Sequence, residues 1–126
     1  MLKMSTAVRA LMPVLASLVP SGGIPALTAQ TMPVVMAVGC VEMDGRDGVL
    51  LTRATEPTAM VERVPDQPPS DAPLGAETLA LVGTLDEFGV ANHEGHKVWA
   101  KGLLNPAAPH RLLNLISITH LSPSCD

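Results

Sequence analysis

The sequence predicts an all-β domain carrying one short helix. Three observations carry this prediction. Five short runs rich in Val, Leu and Ile recur between Val34 and Leu121, each closed by turn residues. Two Asp-Gly pairs, Asp44-Gly45 and Asp47-Gly48, lie between the first two runs as a hairpin signal. A single helix-like stretch, Leu85 to His93, falls between the third and fourth runs and is followed by Gly95, a left-handed stop.

A chain of 126 residues has room for one domain. Its first 29 residues, Met1 to Ala29, read as a signal peptide. Lys3 and Arg9 form the basic start, Leu11 to Val19 the apolar centre, and Leu27-Thr28-Ala29 puts a small residue at the cut. The apolar run is short and broken by Pro13 and Pro20, so no transmembrane segment is expected in the mature chain. A retained membrane anchor or a disordered tail is the alternative. Removing Lys3 and Arg9 leaves six Lys and Arg against twelve Asp and Glu, a balance of −6. An acidic surface repels phosphate backbones, and Phe88 and Trp99 are the only aromatics, so nucleic-acid binding is disfavoured.

Residues 30–126 are the predicted domain. Val34 to Met43 is the first strand, with Gly39 marking a bend, and Val49 to Ala54 returns after the hairpin. Residues 55–73 hold Pro57, Pro65, Pro68, Pro69 and Pro73 and are expected to be a long mobile loop without a strand ladder. Glu77 to Gly83 is the third strand, with Leu79 and Leu81 on one face. Thr84 is the expected N-cap of the helix, and Asp86 and Glu87 suit its dipole. In the fourth strand Val98, Ala100, Gly102 and Leu104 share one face, and Lys97, Trp99, Lys101 and Leu103 the other. Leu112 to Leu121 is the fifth, where Ile118 falls out of phase and predicts a bulge near Ser117. Five strands with a helix between the third and fourth is the order of the OB-fold, a small Greek-key barrel.

Cys40 and Cys125 are the only cysteines. An even count on an exported chain predicts a disulfide between them. Closing a loop of roughly 85 residues contributes about 4–5 kcal/mol by the chain-entropy account. The alternative role for Cys40 is a lipidated first residue after Ala37-Val38-Gly39, but processing there deletes most of the first strand.

The runs Val38-Gly39-Cys40-Val41, Leu51-Thr52-Arg53-Ala54, His93-Glu94-Gly95-His96-Lys97-Val98 with Gly102, and Ser124-Cys125 resemble a group of small exported bacterial proteins. Those share a GC(L/V)…LT-x-A…H-x-GHKV…G…SC pattern. The resemblance spans Val34 to Cys125 and implies an OB-like barrel. It brings no catalytic residue. Trp99 stands where that group has a polar residue, and Arg53 where it has Asn.

Two constellations are candidates for binding. His93 and His96, three apart, are a candidate metal pair, although Gly95 interrupts the turn between them. The plainer reading has both satisfying backbone groups at a helix-to-strand turn. Trp99 between Lys97 and Lys101 is a candidate anchor for an anionic or sugar-like ligand or a protein partner. The plainer reading there is that the N-terminal segment or the Pro-rich loop covers it. Met36 and Met43 read as core filler rather than copper ligands, and Asp44 and Asp47 as solvated turn carboxylates. No nucleophile–base pair, phosphate loop or cofactor motif stands out. The expected function is a non-enzymatic exported binding module without a cofactor, with a periplasmic metal-binding protein using His93 and His96 as the alternative.

Overall fold

The computed structural model describes residues 33–45, 48–106 and 109–126. The signal-peptide reading of residues 1–29 lies outside them, as does Asp47. The strands are β1 (Val34–Asp44), β2 (Gly48–Ala54), β3 (Thr58–Ala59), β4 (Glu77–Val82), β5 (Lys97–Asn105) and β6 (Arg111–Ser122). All five predicted strands are present, and the domain is all-β.

Both edges of β1 are paired. Along one edge Cys40 to Asp44 face Thr52 to Gly48 of β2; along the other Val34 to Cys40 face Leu103 to Lys97 of β5. The pairing continues from β2 to β4, from β4 to β6 and from β6 back to β5, so five strands form a closed ring. Among the described strand pairings of the ring, β4–β6 is the parallel one. Closure pairs much of the strand edge that a small sheet must otherwise protect, although β4 covers only Arg111 to Asn114 of β6.

The core-facing residues alternate as strand geometry requires. Val35, Ala37, Val41, Leu51, Leu79, Leu81, Val98, Ala100, Leu113 and Leu115 pack inside the ring. Gly39 makes room for one of them. A methyl group built at Gly39 would lie 2.6 Å from Leu51 Cγ, and Leu51 is completely buried. The β6 bulge falls one residue from its expected place. Lys101 faces Ser117 and Gly102 faces Leu115, so Ile116 is the extra residue and turns outward. That step returns Ile118 to the core side, which explains its broken phase.

Two expectations need correction. The predicted helix at 85–93 is instead a pair of 3₁₀ turns, Leu85–Phe88 and Val90–His93. Nine residues are too few to sustain an α-helix alone. Gly89, at φ 61°, breaks the run, and the Thr84 side chain makes no cap hydrogen bond. Val90 nevertheless drops into the core and fixes the second turn at the end of the ring. The Pro-rich segment, in turn, does enter the ladder. Thr55 N–H donates to Val38 O at 2.8 Å, β3 pairs with Val35 and Met36, and Met60 N–H donates to Val34 O at 2.8 Å. Pro57 precedes this short ladder and so costs it no donor.

Arg53 has φ 48°, the only non-glycine residue described with a positive value. It sits where two β2 residues, Thr52 and Arg53, oppose the single β4 residue Thr78, an irregularity between Leu51 and Ala54. A left-handed conformation costs most side chains roughly 1–2 kcal/mol, and Asn tolerates it best after Gly. The Arg53–Asp126 ion pair, 3.4 Å long, is exposed and offsets little of this.

These two sites predict opposite effects. In thermal or urea unfolding, Gly39→Ala should destabilise by about 1–3 kcal/mol, because Leu51 must leave its place. Arg53→Asn should stabilise by about 0.5–1 kcal/mol. An unchanged midpoint for both variants contradicts the packing and backbone assignments.

Candidate functional site

The Lys97–Trp99–Lys101 face lies outside the ring, as strand alternation predicts. The anchor reading required this face to be open. Trp99 is instead only 6% exposed, packed with Val38, Ala72 and Leu121 and flanked by Met36 and Leu74. The cover is the chain's own Pro-rich segment, the plainer of the two sequence readings. Lys97 holds the cover down. Its Nζ donates to Ser70 O at 3.1 Å and Ala72 O at 2.8 Å, which satisfies an ammonium group on a residue only 8% exposed. Lys101 Nζ stands 4.1 Å from the Trp99 ring centroid, a cation–π contact on the outer side. Lys97 and Trp99 are therefore the surface on which residues 70–74 rest, and Lys101 lies over the Trp99 ring.

The histidines are arranged differently. His93 ends the second 3₁₀ turn, and His96 immediately precedes β5. Gly95, at φ 79°, supplies the tight reversal between them. His96 N–H donates to His93 O at 2.8 Å, Gly95 N–H to Val41 O at 2.8 Å, and Val41 N–H to His96 O at 3.1 Å. The turn is thus tied to β1 by its backbone, while both imidazoles are left for other work. The rings stand 6.1 Å apart, edge to face.

His120, which the sequence did not connect to this pair, joins it from β6. Its ring centre lies 5.8 Å from that of His93 and 5.1 Å from that of His96. Nothing local in the sequence points to this. It follows from the β5–β6 pairing, in which His120 faces Val98. His110 is exposed in the bend before β6.

The site holds two unusual polar atoms. Nδ1 of His93 and Nδ1 of His96 are both buried without a hydrogen-bond partner. An unsatisfied buried polar group costs about 1–3 kcal/mol, so a pair at one turn calls for a reason. The reading in which these histidines satisfy backbone groups does not provide one for these atoms. As the side chains stand, no three or more His, Cys, Asp or Glu among the described residues are arranged to hold a metal ion. The fold gathers the rings, not yet the donor atoms.

The disulfide Cys40–Cys125 closes over the same end of the molecule, with its Cα atoms 6.1 Å apart. Cys125 Sγ lies 3.6 Å from Gly95 O, so the tail after β6 is clamped beside the histidine turn. An open cleft of about 510 Å³ lies elsewhere, between the β1–β2 hairpin and residues 83–91. It has Met43, Val49 and Val90 in its wall and Asp86 and Glu87 at its rim, with no histidine among its lining residues. Met43 packs against the core and Met36 against the Trp99 cluster, which makes both fillers.

Burial holds the His93 pKa below the ordinary imidazole value of 6.5, and the nearby His120 and His96 push it the same way. The folded protein therefore binds a proton at His93 less readily than the unfolded chain does. Its contribution to stability is complete above pH 6.5 and is lost as pH falls towards the lower folded value. In chelator-treated protein the melting temperature should decline on acidification below about pH 6.5, and His93→Gln should flatten that decline. A decline of equal steepness in the variant removes His93 as its source. No protein-family model, curated protein or solved structure matches this chain.

Proposed function

We propose that the protein is an exported, non-enzymatic binding module on an OB-like barrel, and that its ligand is a transition-metal ion held at the His93–His96 turn. The observation that carries the ligand assignment is the pair of buried, unpartnered Nδ1 atoms on imidazoles 6.1 Å apart. Neutral imidazole nitrogen is a ligand suited to zinc, copper, nickel and cobalt. The depressed pKa of His93 keeps it unprotonated at neutral pH, the form that binds metal. An excess of acidic residues also favours the approach of cations.

The barrel assignment is supported by the ring of five strands and by its parallel contact between β4 and β6. The resemblance to small exported OB-like proteins agrees with it. Export is supported by the order of charge and apolarity in Met1 to Ala29 and by the intrachain disulfide, a bond kept in oxidising compartments. No helix among the described residues is long and apolar enough to cross a membrane. A protein or sugar-like partner at Trp99 is the weaker reading, because the Pro-rich segment must first be displaced.

Calorimetric titration of the purified full chain with Zn²⁺ and with Cu²⁺ at neutral pH tests the metal assignment. The expected result is binding of micromolar or tighter affinity, abolished by His93→Ala or His96→Ala. Absence of heat from both ions, with an unchanged melting temperature in their presence, overturns it.

A further inference from the structure

We propose that His120 is the third protein ligand of this metal site, so that the bound ion bridges the His93–His96 turn to the end of β6. The inference rests on the metal-binding reading above and adds to it a residue from a distant part of the chain.

Backbone pairing carries the argument. Leu113, Leu115, Ile118 and His120 face Leu104, Gly102, Ala100 and Val98 in turn across the β5–β6 ladder. His120 thus continues the core-facing column of β6 one step past Ile118, to the end where the histidine turn sits. The bulge at Ile116 sets this position. Without that extra residue, strand alternation would put His120 on the opposite face of β6. A second irregularity, between Lys97 and Val98, leaves Leu121 as an extra residue and sends it to the Trp99 cluster. The two steps separate neighbouring side chains, Leu121 to the outer cover and His120 to the histidines.

Three imidazoles bound tetrahedrally through nitrogen at about 2.0–2.1 Å have ring centres roughly 5 Å from one another. Here the separations are 5.1, 5.8 and 6.1 Å. The rings must therefore draw together by up to about 1 Å and turn their donor atoms towards one point. The ring centre of histidine lies close to its Cβ–Cγ axis, so rotation about χ2 swings both nitrogens while leaving the ring in place. That torsion is broad. The backbone beneath does not have to move, because the turn is bonded to Val41 and β6 is held in its ladder.

Three nitrogens suit a borderline divalent ion such as zinc, copper(II), nickel or cobalt rather than calcium or magnesium, which take oxygen ligands. His120 is exposed, so the remaining coordination positions open towards solvent. The site is one where a small exogenous ligand or water can complete the metal.

Zn²⁺ and Co²⁺ titrations of the full-length wild-type chain and of His93→Ala, His120→Ala and His110→Ala variants test the proposal, beside imidazole NMR of the wild type. One ion per chain is expected, with the ring signals of His93, His96 and His120 shifting together and that of His110 unmoved. His120→Ala should weaken binding at least tenfold, and His110→Ala should leave it unchanged. If His120→Ala binds as tightly as wild type while His93→Ala loses binding, His120 is not a ligand and the two-histidine site stands without it. Wild-type protein that binds neither ion defeats both readings. Should His120→Ala fold poorly, the wild-type ring signals decide: an unshifted His120 beside shifted His93 and His96 overturns the proposal.

Discussion

The pairing of both edges of β1 is the constraint on which the remaining structure depends. One strand of eleven residues serves β2 and the start of the Pro-rich segment along one edge and β5 along the other. Pairing along both edges is what lets β1 close the ring, and Gly39 lies where the strand must leave room for Leu51. Once β1 is shared, β2 and β5 are held at the two ends of the same chain of pairings, and β4 and β6 complete the circuit in parallel. The apolar interior follows from closure. Half of each strand faces a space that water cannot enter, and the Val- and Leu-rich composition fills it.

A protein with a small core must also protect the outside of its ring. The described structure does so with a second, smaller apolar cluster in which Trp99 is the largest member. Proline-rich chain suits this covering role. Each proline removes a backbone donor and stiffens the path, so the segment needs few hydrogen bonds and loses less entropy when laid down. Lys97 satisfies two of its carbonyl groups from below. A tryptophan flanked by lysines, which reads as a binding surface in one dimension, is in three dimensions the floor under the chain's own cover.

The end of the ring beside the disulfide is organised on a different basis. Backbone hydrogen bonds to Val41 fix the His93–His96 turn, and Cys125 lies against Gly95. The turn is thus fixed through its backbone, while Nδ1 of each imidazole has no partner among the described residues. Side chains released from structural duty, partly buried and close to one another, raise the energy of the protonated state, as the lowered pKa of His93 shows. This combination of a rigid backbone and underused nitrogen atoms distinguishes the site from the Lys97–Trp99 platform, where the buried ammonium group donates to two backbone carbonyls.

The amino-acid sequence by itself determined the all-β class, the five main strands, the inward faces of β4 and β5, and the partners of the disulfide. Each of these follows from short-range signals: alternation with period two, Asp-Gly pairs, and an even number of cysteines. It also located the β6 bulge to within a residue, because Ile118 breaks the local alternation. The tertiary structure alone decided three things. It resolved Leu85 to His93 into two 3₁₀ turns, since a segment this short takes its form from Val90 entering the core and from Gly89 rather than from helix propensity. It put residues 70–74 over Trp99, a contact between segments more than twenty residues apart with no complementary pattern in the sequence. And it brought His120 to His93 and His96, because ladder register is a sum over every bulge along two strands, and a single extra residue reverses which side chains meet.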